Sequence, residues 1–139
     1  MSLSIRNQLP GTVVSVTAGE VMATVKVRLD GGQEIVAAVT LEAVEDLGLA
    51  AGSTVRALVK STEVSLATGP VDGVSIRNQL PGTITDVATG GAMARVKVDV
   101  AGGELTSAIT RDAVTELGLV SGARVVALIK STEVSLSNA

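Results

Sequence analysis

Cysteine, histidine, phenylalanine, tyrosine and tryptophan are all missing from this 139-residue chain. Each absence removes a class of explanation. Without Cys no disulfide can staple the fold, and without Cys or His the usual zinc and iron ligand sets are gone. The same absences remove the residues most used as nucleophile and general base, so an enzyme is not expected. Without aromatics there is nothing on which to stack a nucleic-acid base, which argues against single-strand recognition. Basic residues are also few. Eleven Lys and Arg against 14 Asp and Glu leave a net charge of −3, the wrong sign for a general polyanion binder. No apolar run approaches the ~18 residues of a membrane span. The opening stretch, Met1–Gln8, lacks the charged and apolar regions of a signal peptide. The cytoplasm is the expected location.

What is present is small and aliphatic. Hydrophobic residues make up 46% of the chain, mostly Val, Ala, Leu and Ile, and the β-branched share favours strands. The chain is also a tandem duplication. Ser4–Gly32 aligns with Ser75–Gly103, and Glu34–Leu66 with Glu104–Leu136, leaving Gln33 unmatched; well over half of the aligned pairs are identical. Units of roughly 65 residues bury only about 60% of their unfolded surface and are marginal alone. With disulfides and zinc-type sites absent, association is the remaining remedy, and an obligate oligomer is expected.

Each unit reads mainly as strand. Thr12–Val16 forms a short strand closing at Ala18–Gly19. Val21, Ala23, Val25, Val27 and Leu29 then alternate with Met22, Thr24, Lys26, Arg28 and Asp30, the period of a half-buried strand, and Ala92–Val100 repeats the pattern. Asp30-Gly31-Gly32 and Ala101-Gly102-Gly103 supply hairpin turns into a returning strand, Glu34–Val39 in the first unit. One short helix follows, capped by Thr40 and stopped by Gly48, with Thr110 and Gly118 in the second unit. A last strand, Thr54–Lys60, runs through Ser61-Thr62 into Glu63–Leu66. Thr89-Gly90-Gly91 is a turn rather than a phosphate loop, because no Lys-Ser/Thr follows at the required spacing. Met22 and Met93 suit surface or interface packing. Glu42, Glu45 and Asp46 need only a helix N-terminus to explain them. The fold class is therefore mainly β: two tandem OB-like small β-barrels, each of about five strands and one short helix. Residues 1–67 form the first domain and 75–139 the second. Between them 68–74 is a Gly/Pro linker, and Ala67–Val74 reaches at most ~28 Å, so the domains are neighbours.

Two strings survive the divergence of the units intact. Ser-Ile-Arg-Asn-Gln-Leu-Pro-Gly-Thr spans Ser4–Thr12 and Ser75–Thr83; Lys-Ser-Thr-Glu-Val-Ser-Leu spans Lys60–Leu66 and Lys130–Leu136. Both pair a basic residue with hydroxyl residues. Arg6 and Arg77 offer planar forks of donors, Lys60 and Lys130 compact ammonium groups, and Ser4, Ser61, Ser75 and Ser131 hydroxyls. A tetrahedral dianion, all acceptor, matches such a set through charge-assisted bonds. The same residues would equally suit solvated charges on structural loops.

The two strings, occurring twice at this separation, resemble the Mop or molbindin domain, and two in tandem resemble the di-Mop molybdate-binding proteins. That resemblance implies non-catalytic binding of molybdate, and of tungstate, for intracellular storage or homeostasis, with the oxyanion as ligand and no organic cofactor. It implies homotrimers that imitate the hexamers of single-domain members. It carries the oxyanion-binding role onto Ser4, Arg6, Asn7, Lys60 and Ser61, and onto Ser75, Arg77, Asn78, Lys130 and Ser131. A facing strand from a neighbouring domain carries Thr106 and Ser107 in the second unit, where the first has Val36 and Ala37. Two unequal classes of site are expected from that difference. Three alternatives compete: an OB-type nucleic-acid binder, disfavoured by charge and missing aromatics; the sensing module of a molybdate-responsive regulator, for whose winged helix Ser4 leaves no room ahead of it; and an oligomeric scaffold.

Overall fold

The computed structural model describes residues 2–139. In chain order the elements are β1 (Asn7–Ala18), β2 (Met22–Leu29), β3 (Glu34–Thr40), α1 (Leu41–Leu47), β4 (Thr54–Val59) and β5 (Ser65–Ala67). The second unit repeats them as β6 (Asn78–Thr89), β7 (Met93–Val100), β8 (Gly103–Thr110), α2 (Arg111–Leu117), β9 (Arg124–Ile129) and β10 (Ser135–Asn138). A single 3-10 turn, Ser61–Glu63 and then Ser131–Glu133, precedes each terminal strand. The mainly-β, OB-like expectation holds as two five-stranded antiparallel half-barrels, each with one helix.

Period-two alternation drives the sheets. In β2 every second residue from Ala23 to Leu29 is buried while Met22, Thr24, Lys26 and Arg28 face out. Val21, expected on the inner face, is instead 72% exposed, because it sits in the Gly19–Val21 turn before the ladder begins. The first strand is longer than Thr12–Val16. It starts at Asn7 and passes through Pro10, whose carbonyl accepts from the Asp30 N–H at 3.1 Å. On that side the β1–β2 ladder ends at Gly11 opposite Leu29, so the missing proline N–H costs no ladder bond. Gly11 has a separate reason: a Cβ there would lie 2.6 Å from the Arg28 carbonyl oxygen.

The helices form as their caps dictate. The Thr40 hydroxyl accepts from the Ala43 N–H at 3.1 Å, and Thr110 accepts from Ala113 at the same distance. Gly48 and Gly118 close them at φ 62° and 63°, where a side chain would be strained.

The strand orders are β10-β4-β1-β2-β3 and β5-β9-β6-β7-β8. Each unit thus gives its terminal strand to the other's sheet: Ser65 pairs with Leu128, and Ser135 with Leu58. The turn before each strand packs where the strand goes, Ser61–Glu63 on β8 and Ser131–Glu133 on β3. Glu63, expected to open the last strand, is in the turn. Buried aliphatic residues of both units, from Leu9 and Val25 to Ile129 and Val134, form one continuous core.

Candidate functional site

The Ser-x-Arg-Asn-Gln string is a loop tied down by its own side chains. The Arg6 guanidinium donates from Nη2 to the Leu3 carbonyl at 2.6 Å and from Nε to the Ser4 carbonyl at 3.3 Å. Arg77 does the same to Val74 and Ser75, at 2.8 and 3.3 Å. Gln8 and Gln79 donate to the carbonyls of Ile5 and Ile76. A guanidinium has five N–H groups, so each Arg keeps donors for another acceptor while its head is held in place.

Asn7 and Asn78 do something else. Each is buried, 1% and 2% exposed, and each spends its amide on the other unit's backbone. Asn7 donates to the Thr106 carbonyl and accepts from its N–H, at 2.9 and 2.8 Å. Asn78 makes the same pair with Val36 at the same distances. These amides clip the facing strand to the Arg loop rather than projecting toward solvent.

The Lys-Ser turns complete the arrangement. Because Ser61–Glu63 lies on β8 and Asn7 is bonded to β8, three segments converge: the Arg6 loop, the Lys60-Ser61 turn and Thr106-Ser107. The Arg77 loop, the Lys130-Ser131 turn and Val36-Ala37 converge likewise. In the second unit Ser75, Arg77, Lys130 and Ser131 line one cleft of about 290 Å³. Lys60 lines a smaller cleft of about 150 Å³ with Ile5 and, from the other unit, Thr132 and Glu133. Its counterpart places Lys130 beside Thr62 and Glu63. The two carboxylates, Glu63 and Glu133, are site residues that the sequence signals only by their place in the duplicated Lys-Ser-Thr-Glu string.

Two observations bear on what the clefts could hold. The hydroxyls of Ser61 and Ser131 are buried without a hydrogen-bond partner. Two other orphans, Gln33 Oε1 and Ser137 Oγ, are not duplicated, since Gln33 is unmatched and Ser137 aligns with Ala67; only the Ser61/Ser131 pair recurs. Among the described residues the ion pairs are Arg28–Glu34, Arg95–Asp86 and Lys97–Glu104. Arg6, Arg77, Lys60 and Lys130 have no carboxylate within pairing distance. Glu63 and Glu133 line the two smaller clefts, whereas the cleft of Ser75, Arg77, Lys130 and Ser131 has no carboxylate in its lining and is donor-rich and acceptor-poor, suited to an oxyanion. No group of three or more metal-ligating side chains occurs among the described residues. Ser107 departs from a ligand-facing position: it is fully buried and donates to the Val64 carbonyl at 2.6 Å.

The TOBE domain family matches the chain twice, over residues 3–66 and 74–136. The molybdenum transport protein ModE of Azotobacter vinelandii is 38% identical over 138 residues, 99% of this chain and 51% of that protein; the chain spans about half the length of the first curated relatives it matches. Molybdenum-pterin-binding protein 2 of Clostridium pasteurianum corresponds to one unit, at 44% identity over 66 residues and 97% of its length. Among solved structures, the cytoplasmic molybdate-binding protein ModG, with molybdate bound, superposes with a TM-score of 0.97 at 42% identity, each chain covered completely. The chain belongs to the TOBE-domain family, as a tandem of two Mop-type units.

Proposed function

We propose that this protein binds molybdate reversibly and without catalysis, in the cytoplasm, as a store or buffer for the anion. The observation that carries the reading is the duplicated pair of buried, unpartnered serine hydroxyls, Ser61 and Ser131, each next to a lysine that is engaged in no ion pair among the described residues. Support comes from the full-length likeness to a protein solved with molybdate bound. In each site Arg6 or Arg77 supplies charge and its remaining donors, Lys60 or Lys130 a second charge, and Ser4, Ser61, Ser75 and Ser131 hydroxyls. Asn7 and Asn78 hold the facing strand, whose backbone at Ala37 or at Thr106-Ser107 lines the far side. Tungstate, of the same shape and charge, is a second ligand. Sulfate is smaller, so a cleft sized for molybdate discriminates by fit rather than by charge.

The working unit in this proposal is a homotrimer, with neighbouring chains closing the clefts. Val21, Met22, Met93 and Val120, all substantially exposed in the single chain, are apolar surface that such packing would cover. Light scattering should give a mass of three 13.9 kDa chains.

The decisive experiment is elemental analysis of the protein as purified, followed by titration with molybdate, tungstate and sulfate. Molybdate and tungstate should bind much more tightly than sulfate. No binding, or sulfate held equally well, overturns the proposal.

A further inference from the structure

Among the described residues the two units make every cross-unit side-chain hydrogen bond in duplicate except one. Asn7 on Thr106 is matched by Asn78 on Val36. The Ser107 hydroxyl bond to the Val64 carbonyl, 2.6 Å long and wholly buried, has no match. Its counterpart position is Ala37, equally buried at 0% exposure and without a hydroxyl to donate, opposite Val134.

Val64 ends the turn that carries Lys60 and Ser61. The Glu63 and Val64 N–H groups bond back to the Lys60 and Ser61 carbonyls at 2.9 and 3.4 Å, and Glu133 and Val134 repeat these bonds at the same lengths. The second bond is long in both turns, so neither is held firmly by itself. Ser107 adds an anchor at the end of the first turn only. We infer that Ser107 is a positioning residue: by pinning Val64 it pre-orders the Lys60-Ser61 turn, and that site holds its oxyanion more tightly than the Lys130-Ser131 site. The inference rests on the molybdate reading above. It changes the source of the asymmetry, because Ser107 acts through the turn and not by touching the anion.

A net hydrogen bond of ordinary strength corresponds to roughly threefold to tenfold in affinity if the free turn must otherwise be ordered on binding. Calorimetry of the intact protein with molybdate should resolve two classes of site separated by that factor. Lys60→Ala should delete the tighter class and so identify it. Ser107→Ala should weaken the tighter class alone until the two merge. Ala37→Ser, which installs the missing hydroxyl where the sister unit already tolerates one, should strengthen the weaker class. The double variant S107A/A37S should exchange their order.

A second arm needs no ligand. Amide hydrogen exchange at Glu63 and Val64 should be slower than at Glu133 and Val134. The difference should vanish in Ser107→Ala and reverse in the double variant. Two classes that persist in Ser107→Ala, or that collapse in Thr106→Val instead, would place the asymmetry in direct contact with the anion and overturn the inference. Equal exchange in the two turns overturns it as well. Absence of molybdate binding in the unaltered protein is a different failure, that of the functional proposal, and it leaves the exchange comparison to report on the pin itself.

Discussion

Asn7 and Thr106 form a closed ring of two hydrogen bonds, side-chain amide against backbone amide, at 2.9 and 2.8 Å across the two units. A residue next to the cationic Arg6 is thereby fixed to the strand that faces it. Asn7→Ala leaves the Thr106 N–H and carbonyl unpaired in a part-buried setting, at a cost of about 1 kcal/mol for each group, the low end for an unsatisfied buried polar group. Urea denaturation should register that loss for Asn7→Ala and again for Asn78→Ala. A variant as stable as the parent would mean that water or a neighbouring group satisfies Thr106 in its place.

Arg6→Ala together with Arg77→Ala should abolish binding at the sites formed by the Lys-Ser turns. The substitutions leave the Gln8 and Gln79 bonds of the loops and the exposed apolar residues Val21, Met22, Met93 and Val120 untouched, so the oligomer should persist. Metal stoichiometry and light scattering on one preparation separate the two effects. Full stoichiometry in the double variant would put the ligands elsewhere.

Gly11 and Gly82 occupy positions where backbone passes close to backbone. A Cβ at Gly11 would meet the Arg28 carbonyl oxygen at 2.6 Å, and one at Gly82 the Asp99 carbonyl oxygen at 2.5 Å. Neither contact is with a flexible side-chain end, so the strands must separate. Alanine at either site should cost about 1–3 kcal/mol, in line with overpacking elsewhere. Thermal unfolding measures it, and an unchanged midpoint would show that β1 can shift without penalty.

Removing Ser135–Ala139 strips β10 from the edge of β4 and uncovers the ladder at Val55–Leu58. An unprotected edge of that kind templates pairing with other chains. The truncated protein should lose thermal stability and aggregate with rising concentration, visible by size-exclusion chromatography. A well-behaved truncation would mean that β10 contributes little to its adopted sheet.

Local chemistry was legible in the sequence to the extent that it is local. The β2 alternation, the Thr40 and Thr110 caps and the Gly48 and Gly118 stops depend on residues within a few positions of each other, and they formed as expected. Pro10-Gly11 hid the first half of β1, because proline reads as a break until the ladder beside it is known to end there. The exchange of β5 and β10 could not be read. Both units carry the same Lys-Ser-Thr-Glu-Val-Ser-Leu string, so at the Ser-Leu pair that ends it, pairing within a unit and pairing across units present the same side chains to the same partners, a leucine and an alanine. The destination of Asn7 was hidden for a related reason: its partner is a backbone group, and backbone leaves no signature in composition. The Arg and Lys loops were visible as repeated strings, whereas the orphan state of Ser61 and Ser131 is a property of packing alone.

The crossing of β5 and β10 also bears on dilution. In this arrangement neither unit completes its own sheet; each last strand goes to a second unit, and were that unit a separate molecule the encounter would weaken as the protein became scarce. Here the second unit is tethered by a linker of a few residues, so its effective concentration is set by the tether, in the millimolar range for short flexible linkers. The exchange becomes a first-order event, and pairing of the two halves no longer depends on how many copies of the protein the cell contains.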